Sequence, residues 1–511
     1  MLKRMRRDPI IRVISKRKPK KGTVMKCFLS MLVIFLPSSQ TLFAQELPAG
    51  FDETVVENMK KWHAPGLGLA IVKDGKTVLT KGYGVKSFET MEAVNENTLF
   101  QAGSTTKAFA AMSIAMLIDQ GKVNWDDPII KHIPEFKMKD EYVENNLTIR
   151  DAFSHTSGVG QLSNINMFIG KNIDETWALM AEVDQKESFR KRWEYNNTTF
   201  ALTGRVVERV SGLKFHEFVK QNILYPLGMN DTHLLDSEVR DDPNRAQAHQ
   251  HYDGVDYQIP YPYIEYTQSA GMINSTPVDM AKWMKFLLAK GVWDGERLVS
   301  EEHIEEMMEP QMLLSPSDVY PAAATYHHNY YAYGLAWFVH DYKGHKVAMH
   351  TGSIDGMVAL IALIPEKNIG YYAFINSDHI EYRHALMYTV LDILLENPDE
   401  DWSSKLFPVF HPNGNDMDDI QPSYPGVTDD ALSGTYFLDG SYPLVIAKNN
   451  EILEGRLGVQ VVEIKRTEEN RFLIIDPDTR EIPRQSFLSV HVDDQENVET
   501  IILRGLTYQK Q

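Results

Sequence analysis

Cysteine is almost missing from this chain: one residue, Cys27, stands among 511, and it precedes a short apolar run near the N-terminus. Everything downstream therefore lacks disulfides, thiolate metal centres and a cysteine nucleophile, so any covalent chemistry there uses another side chain. Long apolar runs are scarce too. The stretch FLSMLVIFL, Phe28 to Leu36, is too short to span a bilayer comfortably. Excess positive charge is confined to residues 1–44, which hold eleven Lys and Arg against the single acid Asp8, while the whole chain carries −18. The body beyond is strongly acidic. It repels phosphate backbones and anionic lipid, which argues against nucleic acid as a partner. What remains, 43% hydrophobic and 10% aromatic, is the composition of a folded globular protein.

The basic N-terminus has the order of an export signal. Lys26 precedes the apolar run, Pro37, Ser38 and Ser39 follow it, and small residues near Ala44 offer a cleavage point. The preceding 24 residues are long and basic for such a signal, and Met25 is the start expected instead. The expected location is secreted or periplasmic, with no integral span once the signal is removed.

Beyond it, GLGLAIVKDGKTVLTKGYGV, Gly66 to Val85, reads as two strands around Asp74-Gly75, a strong hairpin signal. KAFAAMSIAMLIDQGKV, from Lys107, reads as a buried helix stopped by Gly121. Residues 148 to 290 read as helices and loops, one opened by Thr276-Pro277 as cap and first-turn proline. Strands return in YGLAWFVHDY, HKVAMHTGS, GMVALIALIPE and IGYYAFINSD, and a helix near RHALMYTVLDILLE closes the body. Strands, helices, strands, helix is the order of an α/β (α+β) fold whose antiparallel sheet joins halves distant in sequence. Pro, Gly, Asn and Asp crowd the segment after residue 405, and short strands fill the rest. The expected organisation is a basic extension and signal over 1–44, a main domain over 45–405, a linker over 406–430 and a small all-β, barrel-like domain over 431–511.

In QAGSTTKAFA, Ser104 and Lys107 are three residues apart at a loop–helix junction and share one helix face. A lysine desolvated among Ala and Met loses basicity and can take a proton from a serine. Ser104 at a first turn also offers a backbone N–H to a developing oxyanion. Alone, the pair reads as a capping serine and a solvated lysine. It has company, however. GSTTK, YNN (Tyr195 to Asn197) and HTG (His350 to Gly352) stand in the order and approximate spacing of the three motifs of penicillin-recognising serine hydrolases. The chain resembles the branch holding class C β-lactamases, D-Ala-D-Ala carboxypeptidases, D-aminopeptidases and related esterases. SHTSGV, YPLGMNDT, SAGMINSTPVDMAKW and YGLAWFV add to that likeness, which covers roughly residues 50 to 395.

The resemblance implies a β-lactamase/transpeptidase-like sheet flanked by helices with a helical subdomain, followed by a lipocalin-like β-domain. It implies Ser104 as the acylated nucleophile, Lys107 as its proton partner, and Tyr195, as phenolate or proton shuttle, serving the leaving group and the deacylating water. Asn197 would bond the substrate amide, and the backbone N–H groups of Ser104 and Ser353 would form the oxyanion hole beside Thr351. Gly352 would let a substrate strand approach closely. His350 replaces the lysine of β-lactamases, and a partly charged, shorter histidine holds a carboxylate less firmly. A peptidase or esterase acting on small amides, esters or D-amino-acid substrates is thus expected ahead of a β-lactamase. The same motifs also suit an acyltransferase using the same intermediate, or a non-catalytic penicillin-binding-like sensor. No cofactor is required. Metal is not expected either: no His-Glu-x-x-His occurs, and the adjacent His327 and His328 do not easily converge on one ion. His155 in SHTSGV reads as a support of the fold.

Overall fold

A computed structural model of the chain describes residues 47–159, 177–178, 180–181, 184–252, 255–259, 261–262, 264–398 and 400–411, and beyond them 428–437, 444–449, 452–457, 460–468, 471–475, 487–492, 497–503 and 506–511. The expected signal and most of the expected linker lie outside these residues. Among the described residues no helix is long and apolar enough to cross a membrane.

The elements that build the main body are α1 (Phe51–Lys61), β1 (Gly66–Lys73), β2 (Lys76–Gly84), α2 (Lys107–Asp119), α3 (Asn197–Ser211) and α4 (Pro277–Leu288). They are followed by β3 (Met312–Leu313), β4 (Tyr331–Tyr333), β5 (Phe338–Tyr342), β6 (His345–Ile354), β7 (Met357–Ile364), β8 (Ile369–Ile375), α5 (Tyr382–Leu394) and α6 (Trp402–Phe410). The β1–β2 hairpin turns at Asp74 and Gly75 with φ of 50° and 73°, the two positive angles of a type I′ loop. The eight-stranded sheet runs β2-β1-β8-β7-β6-β5-β4-β3, and its paired strands are antiparallel.

Why β7 is apolar throughout follows from its position inside this sheet. Successive side chains point to opposite faces, and here both faces are covered. Met357, Ala359, Ile361 and Leu363 enter one core with α2, α3 and α4. Val358, Leu360, Ala362 and Ile364 enter another, with α1 and α5. Helix α2 is buried from Lys107 to Leu117, which explains why its sequence is hydrophobic all round rather than amphipathic. Thr276 caps α4 by accepting from the Asp279 N–H, with Pro277 in the first turn, as its sequence predicts.

Two features differ from the expectation. The segment read as helix and loop also holds a hairpin, Ala248–Tyr252 with Val255–Ile259; VDYQI does alternate apolar and polar residues, a strand signal passed over in so short a run, whereas AHQHY is too polar to show one. The main body also continues past 405. Leu406 is fully buried, and Phe407 packs edge-on against Trp62 with centroids 5.1 Å apart, so the expected linker start at 406 moves beyond α6.

From Gly434 to Lys510 eight short strands follow one another around a closed barrel, sealed where Tyr436 pairs with Lys510 and Phe437 with Gln509. Its core includes Leu432, Tyr436, Leu444, Ile446, Leu488 and Ile501. This is the small β-domain the spacing of strands and turns predicts.

Candidate active site

A 3-10 turn, Gly103–Thr106, runs directly into α2 and sets Ser104 and Lys107 on the same side. The turn begins at Gly103 with φ 52°, where a side chain would be strained and would meet the Ser353 nitrogen at 2.8 Å. Lys107 is fully buried. Its Nζ lies 3.1 Å from Ser104 Oγ, 2.7 Å from Asn197 Oδ1 and 2.8 Å from the Ala270 carbonyl. Burial holds this amine well below the usual lysine range. The three acceptors are uncharged, so a neutral amine can donate to Asn197 and Ala270 and turn its lone pair to the serine hydroxyl.

Tyr195 and Asn197 arrive from the start of α3, which is capped by Asn196 accepting from the Thr199 N–H. The Tyr195 hydroxyl donates to Ser104 Oγ at 2.8 Å. Burial raises its pKa, against a smaller lowering by that hydrogen bond, which disfavours the phenolate form expected as one option. Behind it the His155 ring lies 4.4 Å from the Tyr195 ring, centroid to centroid, and His155 Nδ1 accepts from the Asn196 N–H at 3.1 Å. His155 thus fixes the entry to α3, in keeping with the supporting role expected of it. The Asn197 side chain points its carbonyl oxygen at Lys107, so any contact with a substrate falls to its other end.

Strand β6 carries His350, Thr351, Gly352 and Ser353 past the same turn. A Cβ on Gly352 would sit 2.0 Å from the Ala102 carbonyl oxygen and 3.3 Å from the Ser104 nitrogen. The glycine therefore makes room for the chain's own Ser104 turn. The close approach brings the backbone of Ser353 against Gly103 and next to Ser104.

His350 also departs from expectation. It is 1% exposed, its Nδ1 donates to the Thr351 carbonyl at 2.6 Å, and its Nε2 accepts from the Tyr333 hydroxyl at 2.7 Å. Burial, with Lys107 and Arg383 nearby, moves its pKa down to about 3, against a small opposing effect of the Thr351 carbonyl. It is a neutral core ring, 6.4 Å from the Tyr195 ring, rather than a partly charged one.

Three contributors escaped the sequence reading. Ala270 supplies a backbone carbonyl, which no residue letter announces; nearby Gln268 holds a strained φ of 47° and ψ of −137°. Tyr333 orients His350, and lay inside the YGLAWFV likeness without a role. Arg383, buried at the start of α5, donates to the carbonyls of Gly352 and Ala359, the latter at 3.0 Å, and to the Ser353 hydroxyl at 3.2 Å. It pairs with Glu381 at 2.9 Å. Burial alone would raise Glu381, but Arg383 and His384 hold its carboxyl well below the usual range. The available signal was an Arg-His pair opening a mostly apolar helix.

The family model described as Beta-lactamase matches residues 51–395. Among curated proteins, the chain is 28% identical over 388 residues to Unguisins hydrolase ungD' of Aspergillus campestris, across 70% of this chain and 68% of that protein. It is 27% identical over 345 residues to Protein flp of Staphylococcus aureus, across 64% of this chain and 63% of that protein, less than two thirds of its length. Among solved structures, an octameric penicillin-binding protein homologue from Pyrococcus abyssi superposes with a TM-score of 0.60 at 23% identity, covering 90% of this chain and 99% of that one. The D-amino acid amidase of Ochrobactrum anthropi SV3 gives 0.56 at 20% identity, covering 67% and 96%. These two share the fold.

Proposed function

The chain belongs to the beta-lactamase family, a family of serine hydrolases, and from that premise we propose that it works through an acyl-enzyme on Ser104, acting on small amides, esters or D-amino-acid derivatives. The observation that carries this reading is the buried Lys107 amine, 3.1 Å from Ser104 Oγ and stripped of basicity by its surroundings. Lys107 takes the hydroxyl proton as Oγ attacks the carbonyl carbon. The oxyanion lies between the backbone N–H groups of Ser104 and Ser353. Tyr195, kept a phenol, gives its proton to the departing amine or alcohol and is recharged from Lys107. Water then attacks the ester carbonyl, loses a proton to the same pair, and Ser104 leaves with that proton restored.

The neutral, buried His350 supports the substrate preference. Where a lysine would present a cation to a carboxylate, this chain has an uncharged ring already bonded at both nitrogens. A β-lactam carboxylate therefore gains little there, and the D-amino acid amidase with the same fold makes D-amino-acid amides the first compounds to try. The signal near Ala44 is read as directing export out of the cytoplasm, and the barrel as a lipocalin-like appendage of a hydrolase domain that ends with α6.

A panel of D-amino-acid amides, p-nitrophenyl esters and nitrocefin tests the reading. Turnover of amides or esters above nitrocefin, abolished in Ser104→Ala, is expected. Preference for nitrocefin contradicts the substrate assignment, and turnover surviving in Ser104→Ala contradicts the mechanism.

A further inference from the structure

Away from the Ser104 cluster, three ligating side chains from two distant segments converge. His63 follows α1, while His251 and Asp256 face each other across the ladder of the Ala248–Tyr252 and Val255–Ile259 hairpin. One ligand atom from each lies within 4.8 Å of the other two. The rings of His63 and His251 stack with centroids 3.9 Å apart and planes 20° from parallel. His251 Nδ1 is 2.7 Å from Asp256 Oδ1.

The backbone places His63 in a left-handed turn. His63 adopts φ 54° just beyond the Trp62 cap of α1, a left-handed position where helices usually place glycine. Histidine is among the non-glycine residues that tolerate this region, at a modest conformational cost.

We propose that His63, His251 and Asp256 form a site for a zinc-class divalent transition-metal ion that ties the hairpin to the end of α1. Two imidazoles and a carboxylate are a zinc-type donor set, with a fourth position left for water. Bonds of about 2.0–2.2 Å require the donors to draw together from their present spacing, and Asp256 lies exposed on the hairpin. The same hairpin reaches β6 and β7 at its other strand end, where the His249 N–H donates to the Gly356 carbonyl at 3.3 Å. The ion thus fastens a structural strut beside the strand that carries Ser353, and takes no part in the acyl chemistry.

The test uses tag-free, EDTA-treated full-length protein. Calorimetric titration with zinc chloride is expected to give one saturable site and a metal-dependent rise in Tm of a few degrees. His63→Gly, which suits the left-handed backbone and so folds, and His251→Ala should weaken zinc by about tenfold or more and lose the Tm rise. His345→Ala, which removes a separate histidine–glutamate pair, should bind as the wild type does. No saturable site in the wild type, or zinc affinity unchanged in either ligand variant, overturns the proposal. Loss of zinc binding in His345→Ala equally overturns it.

Discussion

Substituting Gly352 by alanine puts the geometry of the oxyanion site under direct load. The added Cβ would stand 2.0 Å from the Ala102 carbonyl oxygen, where real Cβ contacts stay above 3.0 Å, so strand and turn must separate by at least 1.0 Å. The carbonyl has little room to yield. It accepts from the Thr105 hydroxyl at 3.0 Å, and the Ala102 N–H donates to the Ile273 carbonyl at 2.8 Å. The displacement therefore falls on β6 and widens the gap between the Ser104 and Ser353 nitrogens. A misplacement of about 1 Å costs on the order of a hundredfold in rate, or about 2.7 kcal/mol of transition-state stabilisation. Overpacking adds about 1–3 kcal/mol of lost stability. Because Lys107 and Tyr195 are left in place and the oxyanion contact is made in the transition state, the loss should appear chiefly in kcat. The assay is steady-state hydrolysis of a p-nitrophenyl ester with circular dichroism and Tm on the same preparation. A folded Gly352→Ala protein with kcat/KM within about threefold of the wild type refutes the reasoning.

Other outcomes follow from the groups behind the site. Arg383→Met leaves Glu381 buried without its guanidinium and should cost about 3–5 kcal/mol in denaturant unfolding; a loss under about 1 kcal/mol contradicts the assigned pairing. Acid should weaken the fold earlier than carboxylate titration explains. His350 has a folded pKa of about 3 against an ordinary 6.5, so below pH 6.5 the unfolded chain binds a proton that the folded chain refuses. Stability therefore falls as pH falls, by about 1.4 kcal/mol per unit for such a histidine. His155, shifted down by burial and by Lys107 and His350, adds in the same direction. Urea midpoints between pH 7 and 5 should decline, less steeply in His350→Gln, and a flat profile in the wild type contradicts the buried neutral ring.

How much of this was legible depends on whether the information is local. Ser104 and Lys107 lie three residues apart on one turn, and the Asp74-Gly75 hairpin and the Thr276-Pro277 cap are set within a few residues, so the pattern suffices. β7 was legible as a strand from its apolar run, but not that both its faces are covered. What Gly352 meets was not, because its partner is the Ala102 carbonyl, brought there by packing of the turn against β6. The state of His350 was hidden for the same reason: its charge is decided by burial and by Tyr333, neither of which the motif encodes. Ala270 acts through a carbonyl oxygen that every residue possesses. Arg383 reaches Gly352 from α5, and a single arginine in a helix start has many ordinary explanations.

The central claim is that Ser104 is acylated with help from Lys107 and Tyr195, and intact-mass spectrometry after a fluorophosphonate probe tests it most directly. One adduct per wild-type chain, located by peptide mapping at Ser104 and missing from Ser104→Ala, is the predicted result. No adduct on folded wild-type protein, or an adduct that persists in Ser104→Ala, contradicts the account.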